Sequence, residues 1–370
     1  MINTRQMKAL SFVAILASTL RIIPEYSAEL SGSACWLTPA AALPVLLLFV
    51  WLVSAVMRNR RSGEGLGEMI MRCCGRTGGA AILFIFAAYM LFCIAFLLRA
   101  SAERYISTIY PSSDPWPFIV VMLLLGLIAA LGPAKAVIRA AKIFAPIVLI
   151  AMLFALIFAF SSVDMNNFQP VRAENAPDIL KGAVPVVDVV GGGLLFPLFF
   201  EWCSIPEQHR FKKYLPWLLL VCALLTILCT AAVGNYSAPV VAEMSHPFFT
   251  MLRDITIFRT IERIEAFVVA LWVMPDFIVI AVLLSGAARA LRLALGYNGN
   301  ESEVRMLSMA DGRWLIPLCA AICAACLALI SQDAIELTKL SHTVIPLGNL
   351  ALMFFVLPLC YIIGKIRKKI

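Results

Sequence analysis

Long apolar runs recur along the whole chain and constrain its fold more than any other feature. About ten of them approach or exceed the roughly 18 residues that a helix needs to cross a bilayer. They cover residues 7–30, 37–57, 79–100, 116–131, 136–160, 179–202, 214–234, 261–288, 314–331 and 343–364. The 370 residues are 62% hydrophobic and 14% charged, which is too apolar for a soluble domain of this size. The sequence therefore predicts an all-α polytopic membrane protein with a single transmembrane domain, 1–370.

The placement of basic residues predicts the orientation of these segments. If the segments alternate in direction, 21 of the 30 Lys and Arg residues fall on the side that holds both termini. Loops rich in Lys and Arg face the cytoplasm, so both termini are expected to be cytoplasmic. The net charge of +8 is then explained by topology and by contact with an anionic lipid bilayer, and nucleic acid is not needed as a partner.

Two of the apolar segments contain interruptions. Segment 6 holds consecutive glycines and segment 1 holds a polar stretch with a proline; these residues are Gly191, Gly192 and Gly193, and Ser18, Thr19, Arg21 and Pro24. Open backbone in hydrocarbon must face protein or a water-filled cavity, so we expect helices 1 and 6 to be broken around a binding site. Breaks five segments apart are typical of a five-plus-five inverted repeat, here about 7–160 and 179–331, with 343–364 as a remaining helix. Close helix packing is the alternative interpretation of the glycines.

Asp188 lies just ahead of the glycines and needs an explanation at this depth. A charged group at the centre of a bilayer costs about 2.5–3.5 kcal/mol, so it should have a partner or a ligand. Half-helix N-termini carry partial positive charge and C-termini partial negative charge, which suits an amino acid. Its carboxylate would bind the N–H groups after Gly193, and its ammonium would lie near Asp188. The alternative is that Asp188 pairs with Arg21 inside the protein.

Segments 3 and 8 contribute further candidates for ligand binding. Tyr89 and Cys93 recur at helical spacing in segment 3, and we expect their face to look towards the site, although a core stripe has the same spacing. Trp272 and Asp276 lie four residues apart at mid-depth in segment 8. Asp276 is therefore the second buried carboxylate of interest.

The longest external connection runs from 234 to 259. A short helix from about 246 to 255 would pack Phe248, Met251 and Leu252 inward. Such a helix could act as a lid, or it could be a fixed part of the outer surface, and the sequence is compatible with both.

Sequence signatures of catalysis are absent, since the chain has no G-x-S-x-G, no P-loop and no H-E-x-x-H motif. The three histidines lack metal-binding spacing, and Cys319, Cys323 and Cys326 are interpreted as a small-residue packing stripe. We expect no enzyme activity, no cofactor and no metal.

Several stretches resemble one known family when taken in order. They are LRASAERYISTIYPSSDPWPF with LGPAKAVIRAAKIFAPI, NNFQPVRAENAPDILKGAVP, FPLFFEWCSIPEQHRFKKY and ERIEAFVVALWVMPDFI, and they carry Arg99, Glu103, Glu201, Arg263 and Glu265. Through them the chain resembles the spore germination permease family, the B subunits of endospore nutrient germinant receptors. That family is part of the amino acid, polyamine and organocation transporter superfamily.

The resemblance implies the inverted-repeat fold and a role in nutrient sensing. It also implies an A-type membrane subunit and a C-type lipoprotein as partners, and residence in the inner membrane of a spore. The ligand would be a small nutrient, most simply an amino acid; an ion-coupled amino acid permease is the alternative function. Arg21 departs from the family pattern, because ASTLRIIP stands where a small, glycine-containing sequence is usual. This departure leaves the ligand open.

Overall fold

The computed structural model describes residues 2–58, 60–61, 63–108, 113–169, 173–203, 210–254, 264–296, 314–329 and 334–368. Every regular element in these ranges is a helix. The α-helices are α1 Thr4–Ser31, α2 Thr38–Val56, α3 Leu66–Thr108, α4 Trp116–Leu131, α5 Ala134–Ala159, α6 Ala176–Gly182, α7 Val184–Leu195, α8 Arg210–Tyr236, α9 Ala238–Glu243, α10 Pro247–Asp254, α11 Ile264–Ala294, α12 Leu315–Leu329, α13 Ala334–His342, α14 Val344–Ala351 and α15 Leu357–Ile366.

Seven helical stretches within the described ranges are long and apolar enough to cross a membrane. The helices α4 and α12 are apolar but shorter, with 16 and 15 residues. The predicted class, an all-α polytopic membrane protein, is thereby confirmed, whereas the count of ten spans is not. The division into two repeats stays a prediction.

The core is built around α3 and α11, which pack along each other, with α1 and α7 beside them. Large side chains that are fully buried there include Trp272, Phe86 and Phe199. Helix α3 bends at Gly75, whose φ of 81° lies in a region that side chains disfavour. The bend lets the apolar part of α3 run through the centre of the bundle.

Helix α1 is continuous, so the predicted break in segment 1 is wrong. It runs from Thr4 through Pro24 to Ser31 without interruption, and Thr19 donates a hydrogen bond from Oγ1 to the Ile15 carbonyl at 2.7 Å. Proline is tolerated in a membrane helix when neighbouring elements hold it and satisfy the freed backbone groups. The Cys35 thiol contacts the helix at this point, with its Sγ atom 3.9 Å from the Pro24 carbonyl.

The three glycines of segment 6 are helical, so the predicted break at Gly191–Gly193 is also misplaced. Helix α7 passes through them and gives way to a 3₁₀-helix only at Phe196–Cys203. A Cβ atom on each glycine would meet a different neighbour: Met353 at Gly191, Asn349 at Gly192 and Ile15 at Gly193. The glycines therefore serve close helix packing, which was the alternative interpretation.

The short helix predicted after residue 246 is confirmed as α10, Pro247–Asp254. Phe248, Met251 and Leu252 on this helix are all buried, as expected. Phe248 and Phe249 contact the ring of Trp272, with ring centres 6.1 Å apart in both cases. Helix α10 is thus joined to the core through aromatic contacts.

Candidate functional site

A cavity of about 70 Å³ lies among α1, α3, α7, α11 and α14. By the same measure one water needs roughly 10–15 Å³, so the cavity holds a few waters or a small ligand. Its walls are mainly apolar, and the lining residues are Ala14, Ser18, Ile22, Cys93, Phe96, Leu97, Asp188, Val189, Gly192, Gly193, Phe196, Val279, Val282, Leu283, Ile345 and Asn349. Among these residues Asp188 is the only one with a carboxylate.

Asp188 is fully buried in the wall of this cavity. Its Oδ1 accepts a hydrogen bond of 2.6 Å from Asn349 Nδ2. Its Oδ2 has no hydrogen-bond partner among the described residues. A buried carboxylate oxygen without a donor is costly, and such an atom beside a cavity is a natural contact for a ligand.

Asn349 connects Asp188 to helix α3. The Tyr89 hydroxyl lies 3.0 Å from Asn349 Oδ1 and 2.9 Å from the Ile345 carbonyl, and it has one proton to donate to them. Asn349 was missed by the sequence analysis, although an amide inside an apolar segment is a signal of the same kind as Asp188. A π-helical turn, Leu352–Val356, follows directly after the end of α14, and such turns are frequent at functional sites.

The structure brings together five of the predicted ligand-binding residues. The cavity wall contains Ser18, Cys93, Asp188, Gly192 and Gly193. These residues come from segments 1, 3 and 6 of the sequence, which meet at the cavity. The helices of segments 1 and 6 are nevertheless unbroken there.

The remaining candidates lie elsewhere or act indirectly. Tyr89 reaches the cavity only through Asn349, and Gly191 faces Met353. Trp272 is buried and donates from Nε1 to the Leu16 carbonyl at 3.2 Å. Thr19 bonds within its own helix. The side chain of Arg21 lies outside the described residues, so its pairing with Asp188 stays a prediction.

Asp276 is also fully buried, but it does not line the cavity. Its Oδ2 accepts hydrogen bonds from Arg104 and, at 2.8 Å, from the Ser101 hydroxyl. The guanidinium of Arg104 lies 5.8 Å from the centre of the Phe249 ring on α10. This second carboxylate thus joins α3 to α11 close to α10.

The residues that carried the family resemblance are partly described. Arg99 and Glu103 form the ion pair that their spacing predicts, at 2.8 Å. Glu201 is buried and forms a 3.3 Å ion pair with Arg60, whose Nη1 also donates to the Glu201 carbonyl at 2.6 Å. Arg263 and the side chain of Glu265 lie outside the described residues.

The fold is similar to those of two solved membrane transporters. A Na⁺-coupled sialic acid symporter in a substrate-bound outward-open state aligns with a TM-score of 0.59 and 12% identity over 95% of this chain and 79% of its own. MHP1, a nucleobase-cation-symport-1 family transporter in a closed conformation with bromovinylhydantoin bound, aligns with a TM-score of 0.66 and 11% identity over 100% of this chain and 79% of its own. At such identities the likeness shows the fold alone.

The chain belongs to the spore germination protein family, whose profile it matches over residues 1–335. It is 23% identical over 277 residues to spore germination protein A2 of Bacillus subtilis (strain 168), which covers 73% of each chain. It is 22% identical over 277 residues to spore germination protein GerQB of Bacillus cereus, covering 73% of this chain and 74% of the relative. The protein is therefore an integral membrane protein of the spore germination family.

Proposed function

We propose that the protein is the B subunit of a nutrient germinant receptor and binds a small nutrient in the Asp188 cavity. The observation that carries this proposal is the buried Oδ2 of Asp188, which has no donor among the described residues and belongs to a side chain in the wall of a cavity among five helices. Binding there would change the contacts between α7, α14 and α3, which are linked through Asp188, Asn349 and Tyr89. The ligand-dependent packing of these helices would be the signal.

The names of the relatives support the same role. Both sequence relatives are spore germination proteins, so partners of the A type and C type, and residence in the spore inner membrane, belong to the proposal. An ion-coupled amino acid permease is less well supported, because the likeness to symporters concerns the fold and not the sequence.

The test compares spores that carry Asp188→Asn with spores that carry Asp178→Asn. Asp178 is a matched control in the same segment, since its side chain is 46% exposed and pairs with Lys181 at 2.9 Å. We expect Asp188→Asn to abolish germination in response to a mixture of amino acids while the protein remains in the membrane at its normal level. The control variant should germinate normally. Normal germination of Asp188→Asn spores would refute the proposed site.

The proposed orientation has its own test. A cysteine introduced at Ser245, an exposed residue just before α10, should react with a membrane-impermeant reagent applied from outside. A cysteine at Ser302, which lies outside the described residues, should be protected until the membrane is permeabilised. The opposite pattern would mean that the termini are external.

A further inference from the structure

The side-chain polar groups around the Asp188 cavity leave an acceptor for a ligand. Asp188 Oδ1 is occupied by the Asn349 amide, and the carbonyl oxygen of that amide lies within hydrogen-bond distance of the Tyr89 hydroxyl. The buried oxygen that remains is Asp188 Oδ2. A group that donates hydrogen bonds and carries positive charge is its best complement, because charge-assisted hydrogen bonds are about twice as strong as neutral ones.

Charged side chains and open backbone N–H groups that could bind an anion are not found among the described lining residues. Helix α7 is continuous through Leu195, and the N–H of Phe196 donates to the Gly192 carbonyl, so the backbone after the glycines is already bonded. The part of α1 that lines the cavity is the middle of a continuous helix. Among the described lining residues there is also no Lys, Arg or His side chain. The carboxylate subsite expected from broken helices, with its open backbone N–H groups, is therefore missing from the described part of this wall.

The apolar lining indicates the kind of cation. Hard cations such as Ca²⁺ take about six to eight oxygen ligands, whereas this wall is mostly Val, Leu, Ile and Phe side chains. An ammonium group can instead combine one carboxylate with aromatic contacts, and the rings of Phe96 and Phe196 line the same cavity. Alkyl carbons attached to the ammonium would be buried against the aliphatic residues.

We propose that this cavity selects small apolar primary amines through their ammonium group and has no subsite for a carboxylate. This inference rests on the proposed function, in which the same cavity is the nutrient site. It gives that site a ligand class: removal of the carboxyl group from an amino acid should leave binding intact, and removal of the amino group should abolish it.

The experiment measures binding to the purified full-length protein in lipid nanodiscs by calorimetry, with two matched sets of probes. One set is alanine, ethylamine and propionate, and the other is valine, isobutylamine and isovalerate. We expect each amine to bind within about threefold of its amino acid or more tightly, and both carboxylates to give no detectable heat. Asp188→Asn should weaken amine binding by at least tenfold, or about 1.4 kcal/mol, whereas Asp178→Asn should leave it unchanged.

Two results would overturn the inference in different ways. An amino acid that binds at least tenfold more tightly than its amine would show a carboxylate subsite, and the proposed nutrient site would stand. Loss of that preference in Arg21→Ala would then identify Arg21 as the partner of the carboxylate. If no probe binds and Asp188→Asn spores also germinate normally, the inference and the proposed function both fail. The probe series uses the wild-type protein, so it does not depend on the folding of any variant.

Discussion

Asp188 and Asp276 are both fully buried carboxylates on membrane helices, yet their surroundings differ. Asp276 shares its Oδ2 with the guanidinium of Arg104 and the Ser101 hydroxyl. Asp188 has, among the described residues, the neutral amide of Asn349 as its hydrogen-bond partner, and it borders a cavity. A carboxylate that a buried cation already neutralises holds helices together, whereas one that only an amide satisfies is available to bind a ligand.

The largest expected effect of this difference is on stability. Asp276→Asn removes the counter-charge of Arg104, which is itself only 5% exposed, and should lower the free energy of unfolding by about 3–5 kcal/mol. Asp188→Asn leaves no buried cation behind among the described side chains and should change the free energy of unfolding by no more than about 1 kcal/mol. Equilibrium denaturation of both purified variants in mixed SDS micelles measures the two values.

A double variant provides the control for that comparison. Arg104→Met with Asp276→Leu replaces the ion pair by apolar side chains of similar size, which is often neutral in a protein interior, and it should recover most of the loss. If Asp188→Asn were as destabilising as Asp276→Asn, both carboxylates would be structural and the distinction drawn between them would be lost.

The sequence identified these two carboxylates but could not identify their partners. A charge in an apolar segment is visible from the segment alone. The partners are not, because Asn349 is 161 residues from Asp188 and Arg104 is 172 residues from Asp276. Only the packing of the helices determines which carboxylate meets an arginine and which meets an amide.

The prediction of where the helices break was wrong for a related reason. A run of glycines fits an open backbone and a tight helix contact equally well, and the neighbouring helix decides between them. Here Ile15 on α1 and Met353 and Asn349 near α14 approach the glycines closely enough to use the missing side chains. The same closeness places Gly192 and Gly193 in the cavity wall, so their location at the site was predicted although their conformation was not.

Alanine substitutions at the glycines can distinguish a packing role from a binding role, and their expected effects are of intermediate size. A Cβ on Gly193 would lie 3.0 Å from the backbone nitrogen of Ile15, so Gly193→Ala should destabilise the protein by about 1–3 kcal/mol through overpacking. A Cβ on Gly192 would lie 3.0 Å from Asn349 Nδ2, the atom that holds Asp188. Gly192→Ala should therefore reduce the free energy of amine binding by more than it reduces the free energy of unfolding.

Gly191→Ala is the matched control for both changes. Its Cβ would meet the end of the Met353 side chain, which is flexible and can move aside. Thermal unfolding and amine calorimetry on the three alanine variants give the comparison. Equal losses of stability in all three, with unchanged binding, would mean that the glycines have only a packing role.

The smallest expected effect concerns Tyr89, the last residue in the hydrogen-bonded chain from Asp188 through Asn349. Tyr89→Phe removes a hydroxyl that lies 3.0 Å from Asn349 Oδ1 but leaves the ring in place, so stability should fall by about 0.5–1.5 kcal/mol. Without that hydroxyl the Asn349 amide is less firmly oriented, and amine binding should weaken by about two- to fivefold in calorimetry, because the Asp188 contact itself remains. Ser101→Ala is the parallel change at Asp276, since it removes a hydroxyl 2.8 Å from the carboxylate, and it should alter stability without altering binding. The contrary result is that Ser101→Ala reduces amine binding as much as Tyr89→Phe does. That result would show that Asp276 also contributes to ligand binding, even though it is paired with Arg104.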